Sequence, residues 1–448
     1  MTGSAPAQRR SRRALRAGIA FAGLLLAASV LARAELIDAG PADYRARLRA
    51  LRPGDTLRLA PGEYARGLPV HGLAGEPGRP IVIHGPASGA PALFLARPGH
   101  NTISLVDAQH VVIRDLVLEG RELPVDAVKC EGHARWAHHV TLENLLIRGH
   151  GNNQQTVGIS TKCPAWNWVI RGNTILGAGT GIYLGNSDGR APFVAGRIED
   201  NVIVDSLGYN LQIKHQLARP RVPGMPEEPS LTVIAHNVFA KPNAGNAESA
   251  RPNVLVGHFP REGPGAEDRY AIHGNFFFQN RHEALFQGEG NIALYSNVFV
   301  NRHGDGIHVQ PHNDLPRRIE IAFNTVVAAG TGIAVRNREG QPVTHRQAVR
   351  ANAVFAAKPI EAPDAAGNFT APLAEADRSL NRPRAAPGEL DLYPKRALPA
   401  PGNGDEPQLD GLPGAHLDFN GVTRAPGTVG AYSGHGANPG RLPRLERQ

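Results

Sequence analysis

The sequence predicts an all-β solenoid, in which short strands wind into stacked coils and one short helix closes the start. Three observations lead there. An Asp or Asn recurs nine times between two short apolar runs, at Asp115, Asn144, Asn173, Asn201, Asn237, Asn275, Asn297, Asn324 and Asn352, spaced 29, 29, 28, 36, 38, 22, 27 and 28 residues apart. The runs around them (VIRDLVL, IRGNTIL, IEDNVIV, LYSNVFV) are strand-like, and a strand repeat of this period is the mark of a solenoid. The 51 Gly and 37 Pro among 448 residues suit a chain that turns every few residues. The recurring Asn has a physical reason. At a tight inward bend it tolerates left-handed backbone angles, and in stacked coils its amide can bond the Asn above and below.

Taken in chain order, residues 1–34 read as an export signal. Arg9, Arg10, Arg12, Arg13 and Arg16 precede an apolar run over 17–31 that is too short to span a bilayer. Ala32, Arg33 and Ala34 then form a cleavage site, so the mature chain is expected to begin at Glu35 in the periplasm or outside the cell, with no membrane span. Whether export uses the general or the twin-arginine route stays open. Residues 1–34 hold six Arg and no acids, so cleavage lowers the formal charge from +8 to +2. No long basic cluster with interleaved aromatics remains, which argues against nucleic acid as a partner.

Residues 35–99 read as an N-terminal cap and first strands. Tyr44, Leu48 and Leu51 share one helical stripe, and a short helix here would cover the open end of the solenoid core. Strands follow at Thr56–Leu59 and Ile81–His84. The coils occupy 100–371, a Pro- and Gly-rich closing segment 372–434, and a flexible tail 435–448. Cys130 and Cys163 lie 33 residues apart, about one coil, and stacked strands about 4.8 Å apart are within reach of a disulfide. Two buried thiols are the alternative.

After each Asn and its following strand, a third strand recurs: GISTK, GIYLG, NLQIK, NVLVG, ALFQG, GIHVQ and GIAVR. Period-two alternation predicts one outward column of Lys129, Ser160, Tyr183, Gln212, Leu255, Phe286, His308 and Ala334. It predicts a second of Glu131, Lys162, Gly185, Lys214, Gly257, Gly288, Gln310 and Arg336. Long insertions flank these strands, and loops on a rigid scaffold are where binding is usually built. Eight coils make a groove of roughly 35–40 Å, suited to a chain-like ligand.

The segments PGDTLRLAPGEY (53–64), GEPGRPIVIHGP (75–86) and LDFNGVTRAPGTVGAYSG (417–434) resemble the entry and closing segments of bacterial right-handed parallel β-helix proteins of the pectate-lyase-like superfamily. The opening is most similar to alginate lyases and chondroitinase B. The resemblance implies a right-handed helix and a sugar-binding groove on the third-strand face. That scaffold hosts lyases, hydrolases, epimerases and non-catalytic adhesins. The similar lyases use a Lys base, an Arg and calcium, so calcium is the cofactor that the resemblance suggests and no other is expected.

Eliminative cleavage of a uronate polymer needs a base for the proton beside the carboxylate and a cation for the developing anion. Lys214 suits the base, with His258 or Arg261 on the next coil near the carboxylate and His308 further along. Lys162, Tyr183, Gln212, His215, Phe286, Gln310, His312, Asn313 and Arg336 are candidates for binding the acidic polysaccharide. A His cluster of His215, His258, His308 and His312 is a weaker, metal-binding reading. Paired Asp residues of the kind hydrolases need do not occur on this face. The expectation is therefore an exported, monomeric polysaccharide lyase. An epimerase or hydrolase on the same groove, a non-catalytic glycan-binding module and a purely structural solenoid are the competing readings.

Overall fold

The computed structural model describes residues 33–244, 248, 250–399 and 405–446. All but the last two residues of the expected signal lie outside them. Among the described residues, no helix is long and apolar enough to cross a membrane.

A short strand leaves backbone donors and acceptors open on both edges, and stacking coil on coil pairs them above and below. Each coil contributes one strand to each of three parallel ladders. The first ladder runs from Leu36–Ala39 through Ala108–Arg114 and Ala137–Glu143 to Asp364–Ala366. The second runs from Gly62–Tyr64 to Phe369–Ala371. The third begins at Leu68–His71 and passes through Val157–Thr161, Leu211–Ile213 and Ile307–Val309. Two long strands, Thr325–Val335 and Ala353–Glu361, serve both the second and third ladders and join them into one sheet. Crossovers returning to a parallel neighbour are right-handed, and the fold is a right-handed parallel β-helix. The expected short helix is present at Tyr44–Leu48.

Period two sends one side-chain set inward, where Ile159, Ile182, Leu211, Val254, Phe286, Ile307 and Ile333 stack in register with no exposed surface. Phe239, Phe277 and Phe299 form a second inward stack, with ring centroids 5.3 and 4.2 Å apart. Burying each such side chain contributes about 1.5–3 kcal/mol, so every coil gains most of its stability from its two neighbours.

At the bend between the first and second ladders, the amides of Asn173, Asn201, Asn237, Asn275, Asn297, Asn324 and Asn352 form a continuous ladder. Each Nδ2 donates to the next Oδ1 at 2.9–3.0 Å. Each Oδ1 from Asn201 onward also accepts the backbone N–H of the Asn one coil before, as Asn275 Oδ1 does from Asn237 at 2.9 Å. The ladder continues one rung beyond the sequence series, to Asn368. It also corrects the reason given for the Asn. The left-handed residue is the one before it, Gly172, Asp200, His236, Gly274, Ser296, Phe323 or Ala351. Only Asp115 and Asn144 are themselves left-handed, at φ 58° and 54°. They stand one position earlier than the rest, and Leu145 N–H occupies the Asn position against Asn173 Oδ1 at 3.0 Å.

The start of the core is closed by Tyr44, whose ring packs edge-on to Tyr64 at 5.0 Å and whose hydroxyl donates to Gly67 O. The outer face of the second ladder is covered by the chain beyond 372: Leu380, Leu390, Ala431 and Tyr432 pack on Phe276, Val298, Val300 and Phe355, and Leu445 joins them. Cys130 and Cys163 form a disulfide between adjacent coils, with Cα atoms 5.9 Å apart. Among the described residues, no such layer packs on the outer face of the third ladder.

Asn275 lies mid-ladder and donates to Ile234 O, His273 O and Asn297 Oδ1. Asn275→Ala strands several buried groups, each costing about 1–3 kcal/mol, and is predicted to destabilise the protein by at least about 3 kcal/mol in urea unfolding. Exposed Asn152→Ala should change stability by less than about 0.5 kcal/mol.

Candidate functional site

The third ladder presents its outer face between loops at 186–191, 216–229, 259–268 and 311–315. Backbone pairing fixes the first outward column as Lys129, Ser160, Tyr183, Gln212, Leu255, Gln287, His308 and Ala334. One residue on from the strand ends, the second holds Glu131, Lys162, Gly185, Lys214, Gly257, Glu289, Gln310 and Arg336.

One coil departs from the expected register. In ALFQG, Phe286 faces inward beside Val254 and Ile307, and Gln287 takes the outward place. Phe286 is fully buried, packed edge-on to Phe277 at 6.4 Å, so it is a core residue and not a sugar platform. Gly288 is inward for the same reason: a Cβ there would meet Ile292 Cδ1 at 2.7 Å and the Phe286 ring at 3.1 Å. The large ring and the bare glycine share one layer of core volume. Glu289 thereby replaces Gly288 in the second column.

Lys214 is half-buried. Among the described residues its ammonium makes no hydrogen bond or ion pair. Burial holds its pKa below the ordinary lysine range, with the charge of Glu289 pulling the other way. Gly257, its neighbour on the next coil, allows close stacking, since a Cβ there would lie 2.3 Å from His215 N. His215 and His258 stack at 5.3 Å. Burial, then His258 and Lys214, lower the His215 pKa. His258 Nδ1 is 2.8 Å from Phe259 O; since a carbonyl only accepts, this nitrogen carries the proton and Nε2 is left free.

Two coils away, Lys162 Nζ sits 3.4 Å above the Tyr183 ring. Its pKa is pushed down to about 8, chiefly by burial, with Lys129 and Lys214 adding repulsion and Asp126 opposing them. Burial raises Tyr183 to about 12. Lys129 pairs with Asp126 at 3.3 Å, and Asp126 also accepts from Val157 N and Ser160 Oγ. Lys129, Lys162 and Lys214 therefore form a cationic row over the first half of the groove. Gln212 lies between Tyr183 and Leu255, nearly buried.

The other candidates are more committed. Arg261 is held bidentate by Asp314 at 3.0 and 3.1 Å, which raises its pKa. Its side chain nevertheless stays largely exposed. His312 and Asn313 have exposed side chains, while their N–H groups donate to Glu289 Oε2 at 2.9 and 2.8 Å. Buried Glu289 is thus the tie that pins the 311–314 loop. His308 Nε2 lies 3.1 Å from Asp305 Oδ2, an ion-pair distance without hydrogen-bond geometry. Burial lowers its pKa despite Asp305. Arg336 pairs with Glu361 at 2.8 Å and reaches Gln310 at 3.4 Å, a separate cluster at the far end. His308 and His312 do not join the His215–His258 pair as one metal-binding group.

Calcium fits this groove poorly. Hard cations need several free oxygen ligands, yet Asp126, Glu131, Glu289, Asp305, Asp314 and Glu361 are each already paired or hydrogen-bonded.

No protein-family model matches the chain, and no curated protein matches it. Among solved structures it is similar to an alginate lyase from Paenibacillus sp. str. FPU-7, with TM-score 0.44 and 15% identity over 75% of this chain and 98% of that one. It is also similar to the PL6 family alginate lyase AlyGC, at TM-score 0.46 and 15% identity over 75% of this chain and 51% of that one, so it spans about half of AlyGC. Pectate lyase Pel9A gives TM-score 0.42 and 14% identity over 90% of this chain and 96% of that one.

The lowered Lys162 value has a measurable sign. Between about 8 and the ordinary lysine range the unfolded chain binds the extra proton, so this residue makes stability rise with pH across that window. Lysine-resolved NMR should show Lys162 titrating near pH 8, moving upward in Lys214→Met as a repelling charge is lost. An ordinary lysine titration would contradict the described burial.

Proposed function

We propose that the third-ladder groove binds an acidic, uronate-containing polysaccharide and cleaves it by β-elimination, with Lys214 as the base. The observation that carries this reading is the row of Lys129, Lys162 and Lys214 on one face, where burial disfavours the charged form of Lys162 and Lys214 and few carboxylates remain free to compete. A polyanion crossing the coils would replace lost water with its own carboxylates, which favours binding.

In the step proposed, neutral Lys214 Nζ takes the C5 proton beside the uronate carboxylate. The C4–O bond breaks, its electron pair leaves on the glycosidic oxygen, and the new C4=C5 double bond forms from the C5 electrons. The leaving oxygen takes a proton from the lysine ammonium just formed. Lys162 and Lys129 neutralise carboxylates on the sugars to one side, two and three coils or about 10 and 14 Å away. Tyr183 offers a ring edge beside them. His258, with Nδ1 held on Phe259 O, presents Nε2 towards the substrate as an acceptor. Arg261, exposed although tied to Asp314, stands beside His258 as a further contact for a sugar carboxylate. No step depends on calcium. Action on such a polymer suits delivery to the periplasm or outside, as the 1–34 leader would provide.

The test is incubation of purified protein with alginate, pectate, chondroitin and hyaluronan, with calcium or with a chelator, following the far-ultraviolet absorbance of the unsaturated product. The proposal predicts absorbance growth on at least one polymer, chelator-resistant, and lost by about 100-fold or more in Lys214→Ala. Lys162→Ala should mainly raise KM. New reducing ends without absorbance would indicate hydrolysis, and binding without turnover a non-catalytic glycan-binding module; either overturns the elimination reading.

A further inference from the structure

Away from the groove, the first ladder carries three imidazoles whose arrangement the proposed cleavage does not use. His110 lies in Ala108–Arg114 and His138 and His139 in Ala137–Glu143, strands paired in parallel on adjacent coils. His138 pairs with Gln109 and Val140 with Val111, so His139 stands opposite His110. Both are left-handed, at φ 47° and 51°. The kink recurs at Asn167 and Ala195 in the same column and belongs to the coil. Its consequence is local: it interrupts the alternation, so two successive residues face outward on each strand.

The result is a compact nitrogen cluster. His138 Nδ1 lies 2.8 Å from His139 Nδ1. The His110 and His139 rings stack at 4.3 Å. One nitrogen from each of the three lies within 4.8 Å of the others. Among the described residues no carboxylate pairs with any of them, and the ring contacts recorded are to one another, to Trp166 and to Asn167. Two neighbours hold the rings in place. Trp166 stacks on His138 at 4.4 Å, and Asn167 Nδ2 lies 3.1 Å from His139 Nε2; turning that amide end for end would let its Oδ1 accept the Nε2–H of a His139 that ligates through Nδ1.

We propose that His110, His138 and His139 form a binding site for one divalent transition-metal ion of the zinc–copper class. A tetrahedral ion with metal–nitrogen bonds of about 2.1 Å spaces its ligands by about 3.4 Å. One observed separation is 2.8 Å and one nitrogen of each ring lies within 4.8 Å of the others, so small side-chain rotations complete the set. An all-imidazole donor set without carboxylates selects zinc, copper or nickel over calcium or magnesium. The ion would clip together the same two coils that Cys130–Cys163 joins. A fourth position remains open to water or an exogenous ligand.

The experiment uses untagged protein, stripped by chelator and dialysed, then titrated with zinc chloride and with copper(II) chloride by calorimetry. One ion per chain is expected, with a rise in Tm on loading and nitrogen hyperfine structure in the copper electron paramagnetic resonance spectrum. His138→Gln and His139→Gln should each weaken binding at least ten-fold, while exposed His100→Gln should leave it unchanged. If a strand variant fails to fold by circular dichroism, His110→Gln is the second variant. Stoichiometry near zero, or binding and spectra unaffected by these substitutions, would overturn the proposal.

Discussion

The asparagine ladder at the bend between the first and second strands is the constraint on which the rest of the structure depends. At this inward corner the backbone cannot continue either sheet, and its polar groups are buried. The amides supply the missing partners, and each does so by binding the coil before and the coil after it. Stability and register come from the same bonds. A strand that slipped by one residue would turn its apolar set outward and would also lose its amide contacts. The groove's columns exist because this corner holds each coil at one setting, from Asn173 to Asn368.

Electrostatics on the open face follow from that alignment. Burial disfavours the charged form of Lys162 and Lys214, and stacking places Lys129 and Lys214 close enough to repel charge on Lys162. The carboxylates nearby have been given other work: Asp126 and Glu131 anchor the start of the face, while Glu289 fastens the loop at 311–314 and Asp314 holds Arg261. The net effect is a strip of incompletely compensated positive charge on a rigid floor. Among the described residues, the carboxylates expected of a calcium site are absent as free ligands, so the protein's own cations must neutralise the bound acid if elimination occurs.

Much of this was legible in the sequence. The nine-fold Asp/Asn series announced stacked coils because only a solenoid repeats a corner residue at that interval, and the face carrying Lys162, Tyr183, Gln212 and Lys214 followed from alternation. The cysteine pair followed from coil length. What failed shows the limits of period-two reading. ALFQG fits two registers equally well, and only the volume shared between Phe286 and Gly288 selects the one found. Asp115 and Asn144 look like later members of the series but stand one residue early, a shift visible only through backbone angles. Arg261 was legible as a cation beside the groove, but its bidentate partner Asp314, 53 residues away, was not. The His110, His138 and His139 cluster was missed because its kink breaks the alternation used to assign faces.

The central claim, that aligned coils make one polymer-binding floor centred on Lys214, is tested most directly by a crystal structure of the Lys214→Ala protein with an acidic oligosaccharide of the polymer it recognises. The account predicts a sugar chain lying across successive coils of the third ladder, with carboxylates beside Lys162 and Lys129 and a uronate C5 facing position 214. A sugar chain bound on the first ladder or on the C-terminal layer, with the third-ladder face empty, would contradict it.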